Sequence, residues 1–206
     1  MPTPKQQRVF LNIPYDDRFE PIYLAYITAL TTMGFLPRAT LGIGGNRRLD
    51  RIAALIESCS YSIHDLSRVQ LDRNSPRTPR FNMPLELGLA VAWARSHPNH
   101  KWFVFESLKR RLAKSMSDLD GTDPYIHDGT VRGVMREVCN AFVRPKQPTV
   151  PQMMEIYRDL RRSVPKILHN AGTTSLFTAR AFSDLCLAAA GLRSKHLLRS
   201  EYVMNG

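Results

Sequence analysis

Apolar residues follow two different spacings along the first 143 residues of the chain. Short, almost continuous apolar runs predict strands buried on both faces, and these lie at residues 8–13, 35–41, 61–64 and 102–105. Between and after them, helices are predicted from apolar residues at every third or fourth position at 19–33, 49–56 and 130–143, from an almost wholly apolar segment at 83–94 and from a basic segment at 108–116. This alternation with short links predicts an open, mostly parallel α/β sheet with right-handed crossovers and helices on both faces.

Helices replace the alternation after residue 144. They are predicted at residues 150–170 and 176–190. Pro165 is expected to kink the first of them, and Gly191 is expected to end the second.

The change of pattern divides the chain into an α/β domain, residues 1–144, and a C-terminal helical extension, residues 145–206. Two roles are open for the extension: a separate subdomain or dimerisation element, or helices that pack onto the sheet domain. We favour packing onto the sheet domain, because helices usually gain their stability by burying an apolar face.

Composition narrows the class of protein. The chain has 206 residues, 43% of them hydrophobic, which is enough for a sizeable core. Neither a secretory leader nor a run of about 20 apolar residues is readable, so we expect a cytoplasmic protein with no membrane partner. Cys59, Cys139 and Cys186 are far apart and lack metal-binding spacing, which predicts buried free thiols and no metal site.

The net charge of +11 predicts a surface that attracts anions such as nucleotides or nucleic acid. Part of this charge lies in a basic segment, residues 68–80, ahead of the helix at 83–94. A glycine-rich loop at 42–46 lies between a predicted strand and helix, but it lacks the last glycine of a dinucleotide-binding motif and the Lys-Ser/Thr of a phosphate loop.

Polar residues follow the predicted strands at the edge where ligands bind in parallel sheets. Ligands enter there because loops and helix N-termini converge beyond the carboxyl ends of the strands. The residues brought to this edge are Asn12 and Tyr15 after the first strand, Asp65 and Ser67 after the third, and Asn82 and Glu86 at the start of the next helix.

Glu86 is the strongest candidate for chemistry. It is the one acid in an otherwise apolar helix, so its carboxylate loses hydration and needs a purpose or a partner. Ala90 and Trp93, at i+4 and i+7, are expected to form a small opening and an aromatic wall beside it. Such a carboxylate could attack or stabilise a sugar carbon while a base leaves. The competing interpretation is an acid that stabilises the helix start.

The other candidates also have structural alternatives. Asp65 could bind ribose hydroxyls or orient a nucleophile, or form a turn with Ser67. Asn12 and Tyr15 could bind a base or ribose, or reflect turn geometry before a proline. His64 is expected to be a core histidine.

Three short segments together resemble the nucleoside 2-deoxyribosyltransferase-like family, which is related to TIR domains. They are Val9-Phe10-Leu11-Asn12-Ile13-Pro14-Tyr15, Ile63-His64-Asp65-Leu66-Ser67 and Glu86-Leu87-Gly88-Leu89-Ala90. The resemblance covers roughly residues 8–143 and implies a flavodoxin-like sheet.

By this resemblance, Glu86 matches the catalytic glutamate and Asp65 the acid that positions ribose or the nucleophile. Asn12 and Tyr15 match the turn that lines the substrate. The resemblance implies cleavage or transfer at an N-glycosidic bond, and it permits a role in antiviral defence. Arg80 and its basic segment favour a substrate with phosphates, so NAD, as substrate and not as cofactor, fits better than a bare nucleoside.

Three functions follow from these observations. We place first an enzyme that acts on a nucleotide or nucleoside, forms a homo-oligomer and needs no cofactor. A sensor or assembly module that binds a nucleotide without catalysis is the second. A nucleic-acid-binding protein, suggested by charge alone, is the third.

Overall fold

A computed structural model describes residues 7–41, 47–68, 78–119 and 121–204, with side chains as far as His196. The glycine-rich loop at 42–46 and residues 69–77 of the basic segment lie outside the described residues.

Five parallel strands form one open sheet in the order β2-β1-β3-β4-β5. They are β1 (Arg8–Asn12), β2 (Leu36–Ala39), β3 (Tyr61–Asp65), β4 (Lys101–Glu106) and β5 (Tyr125–Ile126). This is the strand order of flavodoxin-like folds, and it confirms the predicted class. The prediction missed β5, which lies between the predicted helices at 108–116 and 130–143, because a strand of two residues is too short to show periodicity.

The described residues form seven α-helices, which connect the strands and continue the chain after β5. They are α1 (Glu20–Thr32), α2 (Arg48–Glu57), α3 (Asn82–Ser96), α4 (Arg111–Ser115), α5 (Val131–Ala141), α6 (Val150–Ala171) and α7 (Ala179–Met204). The predicted end at Gly191 is wrong, because α7 continues to Met204. A glycine within a helix costs only about 1 kcal/mol, and Leu192, one residue further on, packs against the main core. Pro165 lies inside α6, as the predicted helix at 150–170 required.

The C-terminal helices pack on the same side of the sheet as α1 and α5. Met153 and Leu160 of α6 and Leu185 of α7 are fully buried in one core with α1 residues. The extension and the sheet domain therefore share a hydrophobic core. All three cysteines are buried free thiols, as predicted. Within the described ranges, no helix is both long and apolar enough to cross a membrane.

Alternation along β1 and β3 decides which polar residues can meet. Leu11 and Ile63 belong to the core under α1, whereas Phe10 belongs to the smaller core under α2 and α3. Since side chains alternate between faces, Asn12 shares the face of Phe10, and Asp65 shares the face of Ile63. The two residues therefore lie on opposite faces of the sheet.

Candidate functional site

A cavity of about 650 Å³ opens at the carboxyl end of β1. The chain leaves β1 for β2 on one side and later returns to place β3 on the other, which is the point where open α/β sheets bind ligands. The described residues that line the cavity are Asn12, Ile13, Pro14, Tyr15, Thr40, Arg48, Thr78, Pro79, Arg80, Phe81, Asn82, Met83 and Glu86. Five of the seven predicted site residues meet here.

Glu86 lies one turn into α3 and is only 7% exposed. Burial raises the pKa of its carboxyl to about 7, and the nearby positive charge of Arg48 opposes this shift. Among the described residues, no donor forms a hydrogen bond or ion pair with the carboxylate. An acid bonded to the amides of the helix start, which is one form of the competing interpretation, therefore does not describe this side chain. Both protonation states are accessible near neutral pH.

Asn12 fixes the start of α3 against the end of β1. Its Nδ2 donates to the Met83 carbonyl, at 2.8 Å, and meets His64 Nδ1 at 3.0 Å. Only the amino group can donate to a carbonyl, so Oδ1 is the atom that remains to accept a hydrogen bond from a ligand. Because Met83 lies one turn before Glu86, this contact also helps to position the carboxylate.

His64 is a fully buried core histidine, as predicted. Burial, reinforced by the neighbouring His100, lowers the pKa of its imidazole to about 3. The ring is therefore uncharged at neutral pH, which suits an acceptor role for Nδ1 towards the Asn12 amide.

Tyr15, Arg48 and Arg80 also line the cavity. Burial raises the pKa of Tyr15, and the negative charge of Glu86 adds to the effect. Arg80 donates to the Asp16 carboxylate at 3.2 Å and lines the cavity while keeping exposed surface. Sequence reasoning missed Arg48. It begins the helix that follows β2, and the same argument about strand ends could have identified it.

The structure does not bring Asp65 and Ser67 to this cavity. Asp65 is fully buried on the opposite face of the sheet, where Tyr26 donates to its Oδ2 at 2.7 Å and the Ser67 N–H donates to its Oδ1 at 2.9 Å. His127 Nε2 lies 3.1 Å from the same Oδ2. Asp65 thus ties β3 to α1 and to the segment after β5.

The contacts of His127 argue against nucleophilic catalysis at Ser67. A serine–histidine–aspartate relay needs the acid and the serine on different ring nitrogens. Here Ser67 Oγ, at 3.0 Å, and Asp65 both approach Nε2, whereas Nδ1 accepts from the Gly129 N–H at 3.1 Å. We therefore interpret this buried group as structural.

The expected wall of Ala90 and Trp93 beside Glu86 is wrong. Ala90 is fully buried against Phe10, and Trp93 packs in the same core and stacks on His97 with ring centroids 3.3 Å apart. A residue at i+4 is rotated by about 40° around the helix, and that rotation turns Ala90 towards the core under α2.

The part of the chain that the structure describes contains no group of three His, Cys, Asp or Glu side chains arranged to hold a metal ion. The chain matches no protein-family model, and searches of curated proteins and of solved structures also found no match.

Proposed function

We propose that the protein binds a nucleotide in the Glu86 cavity and cleaves its N-glycosidic bond or transfers the glycosyl group, with NAD the first substrate to test. The observation that carries the proposal is a buried carboxylate with a raised pKa at the ligand-binding edge of the sheet. Its cavity is large enough for a nucleotide. The choice of reaction comes from the resemblance of the segments around Asn12, Asp65 and Glu86 to N-glycosidic transferases.

The chemistry assigned to Glu86 requires its ionised form. With NAD, the bond between ribose C1′ and the nicotinamide nitrogen breaks, and the electron pair leaves with neutral nicotinamide. The Glu86 carboxylate stabilises the positive charge at C1′ or bonds to it, and water or another acceptor then attacks C1′ and loses a proton. Activity should therefore rise as pH increases through about 7, where this carboxyl titrates.

The positive side chains favour a substrate that carries phosphates. Arg48 and Arg80 both line the cavity, and guanidinium groups bind phosphate oxygens in paired hydrogen bonds. The Asn12 Oδ1 atom can accept from a ribose hydroxyl or a carboxamide. In this proposal Asp65 supports the fold of the edge and does not contact substrate.

The test is nicotinamide release from NAD by wild type and by Glu86→Gln, with nucleosides and mononucleotides as parallel substrates, measured by chromatography. We expect Glu86→Gln to lose at least about a hundredfold in rate while still binding NAD. Glu57→Gln is the matched control, because Glu57 is exposed at the end of α2. Equal rates for wild type and Glu86→Gln would reject the role of Glu86.

A second candidate is a nucleotide-binding module without catalysis. The observation that favours it is that Glu86 is the single carboxylate among the described residues lining the cavity. This candidate predicts NAD binding by wild type, weakened by Arg80→Gln, with no product at any pH from 6 to 9.

For partners and location, we further propose a cytoplasmic homo-oligomer. Support comes from the free thiols, which suit a reducing compartment, and from Phe81 and Leu85, which are 67% and 52% exposed beside the cavity. The charge of +11 also leaves nucleic acid as a partner to test. Such binding should weaken steeply with added salt.

A further inference from the structure

A second cavity, of about 280 Å³, lies where the C-terminal extension meets the sheet domain. It is bounded by the end of α1, the segment between α5 and α6, the first turn of α6, and α7. The residues that matter here are Thr32, Lys146, Gln147, Gln152 and Arg193. The two cavities have no described lining residue in common.

The hydroxyl of Thr32 does not form the hydrogen bond to a backbone carbonyl that other threonines of α1 form. Thr28 and Thr31 each donate to the carbonyl one turn earlier, at 2.7 and 2.6 Å. Thr32 is 5% exposed and lines the cavity, yet its Oγ1 has no hydrogen-bond partner among the described residues. A buried hydroxyl without a partner costs free energy, so this one is expected to have a partner that binds in the cavity.

Two glutamines leave donor groups for the same cavity. Gln147 Oε1 accepts from the Arg144 N–H at 3.0 Å, and Gln152 Oε1 accepts from the Thr149 N–H at 2.8 Å. With both carbonyl ends engaged, the Nε2 groups remain as donors.

Lys146, which also lines this cavity, has an unfavourable backbone conformation. Its φ is 56°, the left-handed region that residues with a Cβ seldom occupy. Lys146 thus brings a positive charge, on a residue with an unfavourable backbone conformation, to the cavity that the Thr32 hydroxyl also lines.

The charge balance favours an anion. Lys146 and Arg193 are cationic, and the positive end of α6, a helix of 22 residues, lies at the same place. Glu155 and His196 also line the cavity, with Glu155 Oε2 3.7 Å from His196 Nδ1; Glu155 is the one carboxylate among the described lining residues, so the two cations outnumber it. Asp159 accepts at the other ring nitrogen, 3.0 Å away.

We propose that this cavity binds a small phosphate-type oxyanion, either inorganic phosphate or a phosphate monoester. Its donors come from α1, the α5–α6 segment, α6 and α7, which suits a tetrahedral group with three or four acceptor oxygens better than a planar carboxylate with two. The bound anion joins the extension to the sheet domain.

The experiment is isothermal titration of inorganic phosphate into the full chain at pH 7.5 and constant ionic strength, with glycerol 3-phosphate and chloride as parallel titrants. Thr32→Val removes the hydroxyl without changing the shape, and we expect about tenfold weaker phosphate binding. Thr28→Val is the matched control, because its hydroxyl is already bonded within α1. Tighter binding of glycerol 3-phosphate than of phosphate would identify a monoester as the ligand.

Lys146→Gly keeps the test valid if the threonine variant folds poorly. Glycine accepts a positive φ, so the variant should be at least as stable as wild type in phosphate-free buffer while binding phosphate about tenfold more weakly. Lys166→Gln, an exposed α6 variant outside the cavity, controls for the lost charge. No phosphate binding by wild type, or unchanged affinity in both cavity variants, would overturn the proposal. Loss of affinity in Arg80→Gln alone would do the same, by moving the anion to the other cavity.

Discussion

Replacing Glu86 with glutamine is expected to stabilise the protein at alkaline pH and to leave its stability unchanged near pH 4.5. The pKa of the native carboxyl is raised from 4.5 to about 7 by burial. Between these pH values the native state holds one more proton than the unfolded chain, so the free energy of unfolding falls as pH rises through the interval. Glutamine resembles the protonated acid and does not titrate, and the variant therefore escapes this loss.

The magnitude follows from the two pKa values. Each pH unit between them corresponds to about 1.4 kcal/mol, so the interval from 4.5 to about 7 amounts to about 3 kcal/mol at pH 8. For a chain of this length, 1 kcal/mol shifts the melting temperature by about 2–4 °C. At pH 8 Glu86→Gln should therefore melt about 6–12 °C above wild type.

Urea unfolding followed by circular dichroism at pH 4.5, 6, 7 and 8 measures this difference directly. Glu57→Gln removes an acid of the same kind from an exposed position, so it separates burial from the change in net charge. Equal stabilities of wild type and Glu86→Gln at pH 8 would show that the native carboxylate is well solvated, and the argument for its reactivity would then fail.

His64 gives the same experiment an internal check. Its pKa is lowered from 6.5 to about 3 in the folded protein. Between these pH values the imidazole is protonated in the unfolded chain but not in the folded protein. The free energy of unfolding therefore rises with pH from about 3 to 6.5. Between pH 4.5 and 6.5 this slope opposes that of Glu86, and the two nearly cancel in wild type. In Glu86→Gln only the His64 slope remains, so the stability of the variant should rise across this range.

Three further substitutions test other parts of the site. Arg48→Gln should raise the pKa of Glu86, because the Arg48 charge lowers it. The rise of NAD turnover with pH should therefore move to higher pH, and an unchanged pH–rate profile would contradict an electrostatic effect of Arg48 on Glu86. Asp65→Asn should lower the free energy of unfolding by about 1–3 kcal/mol, because the hydrogen bonds from Tyr26, Ser67 and His127 lose a charged acceptor; an unchanged urea midpoint would contradict this. Leu85→Lys places a charge on the exposed face of α3 and should reduce the mass measured by light scattering to that of a monomer; a monomeric wild type would reject the homo-oligomer.

Most of the fold could be predicted from hydrophobic spacing, because buried parallel strands and amphipathic helices leave different periods. The exceptions are β5, which has two residues, and the end of α7. Gly191 did not end the helix as predicted, because glycine ends a helix only where the chain needs a left-handed residue. Packing of Leu192 against the main core favours continuation of the helix instead.

Five of the seven site residues predicted from the sequence line the cavity, and Asp65 and Ser67 do not. Glu86 was identifiable because an acid in an apolar helix is conspicuous. The expectation that Asp65 would lie beside it ignored the alternation along β3. Leu11 and Ile63 are neighbours in register, and so are Asn12 and His64. Asp65, one residue beyond His64, therefore turns to the α1 face. Arg48 begins the helix that follows β2 and lines the cavity, so the rule about strand ends could have identified it although the loop before it carries no motif.

The two buried carboxylates lie on opposite faces of the sheet, with the candidate reactive group Glu86 on one face and the structural group Asp65 on the other. On the α3 face, Asn12 holds the helix start and Glu86 is buried without a described partner, which raises its pKa and makes the ionised form costly above pH 7. On the α1 face, Asp65 is saturated with donors that connect β3 to α1 and to His127 after β5. The same end of the sheet thus carries a poorly hydrated carboxylate on one face and a hydrogen-bonded carboxylate on the other. A site that sacrifices stability at Glu86 can persist because the Asp65 contacts offset the cost on the same strand ends.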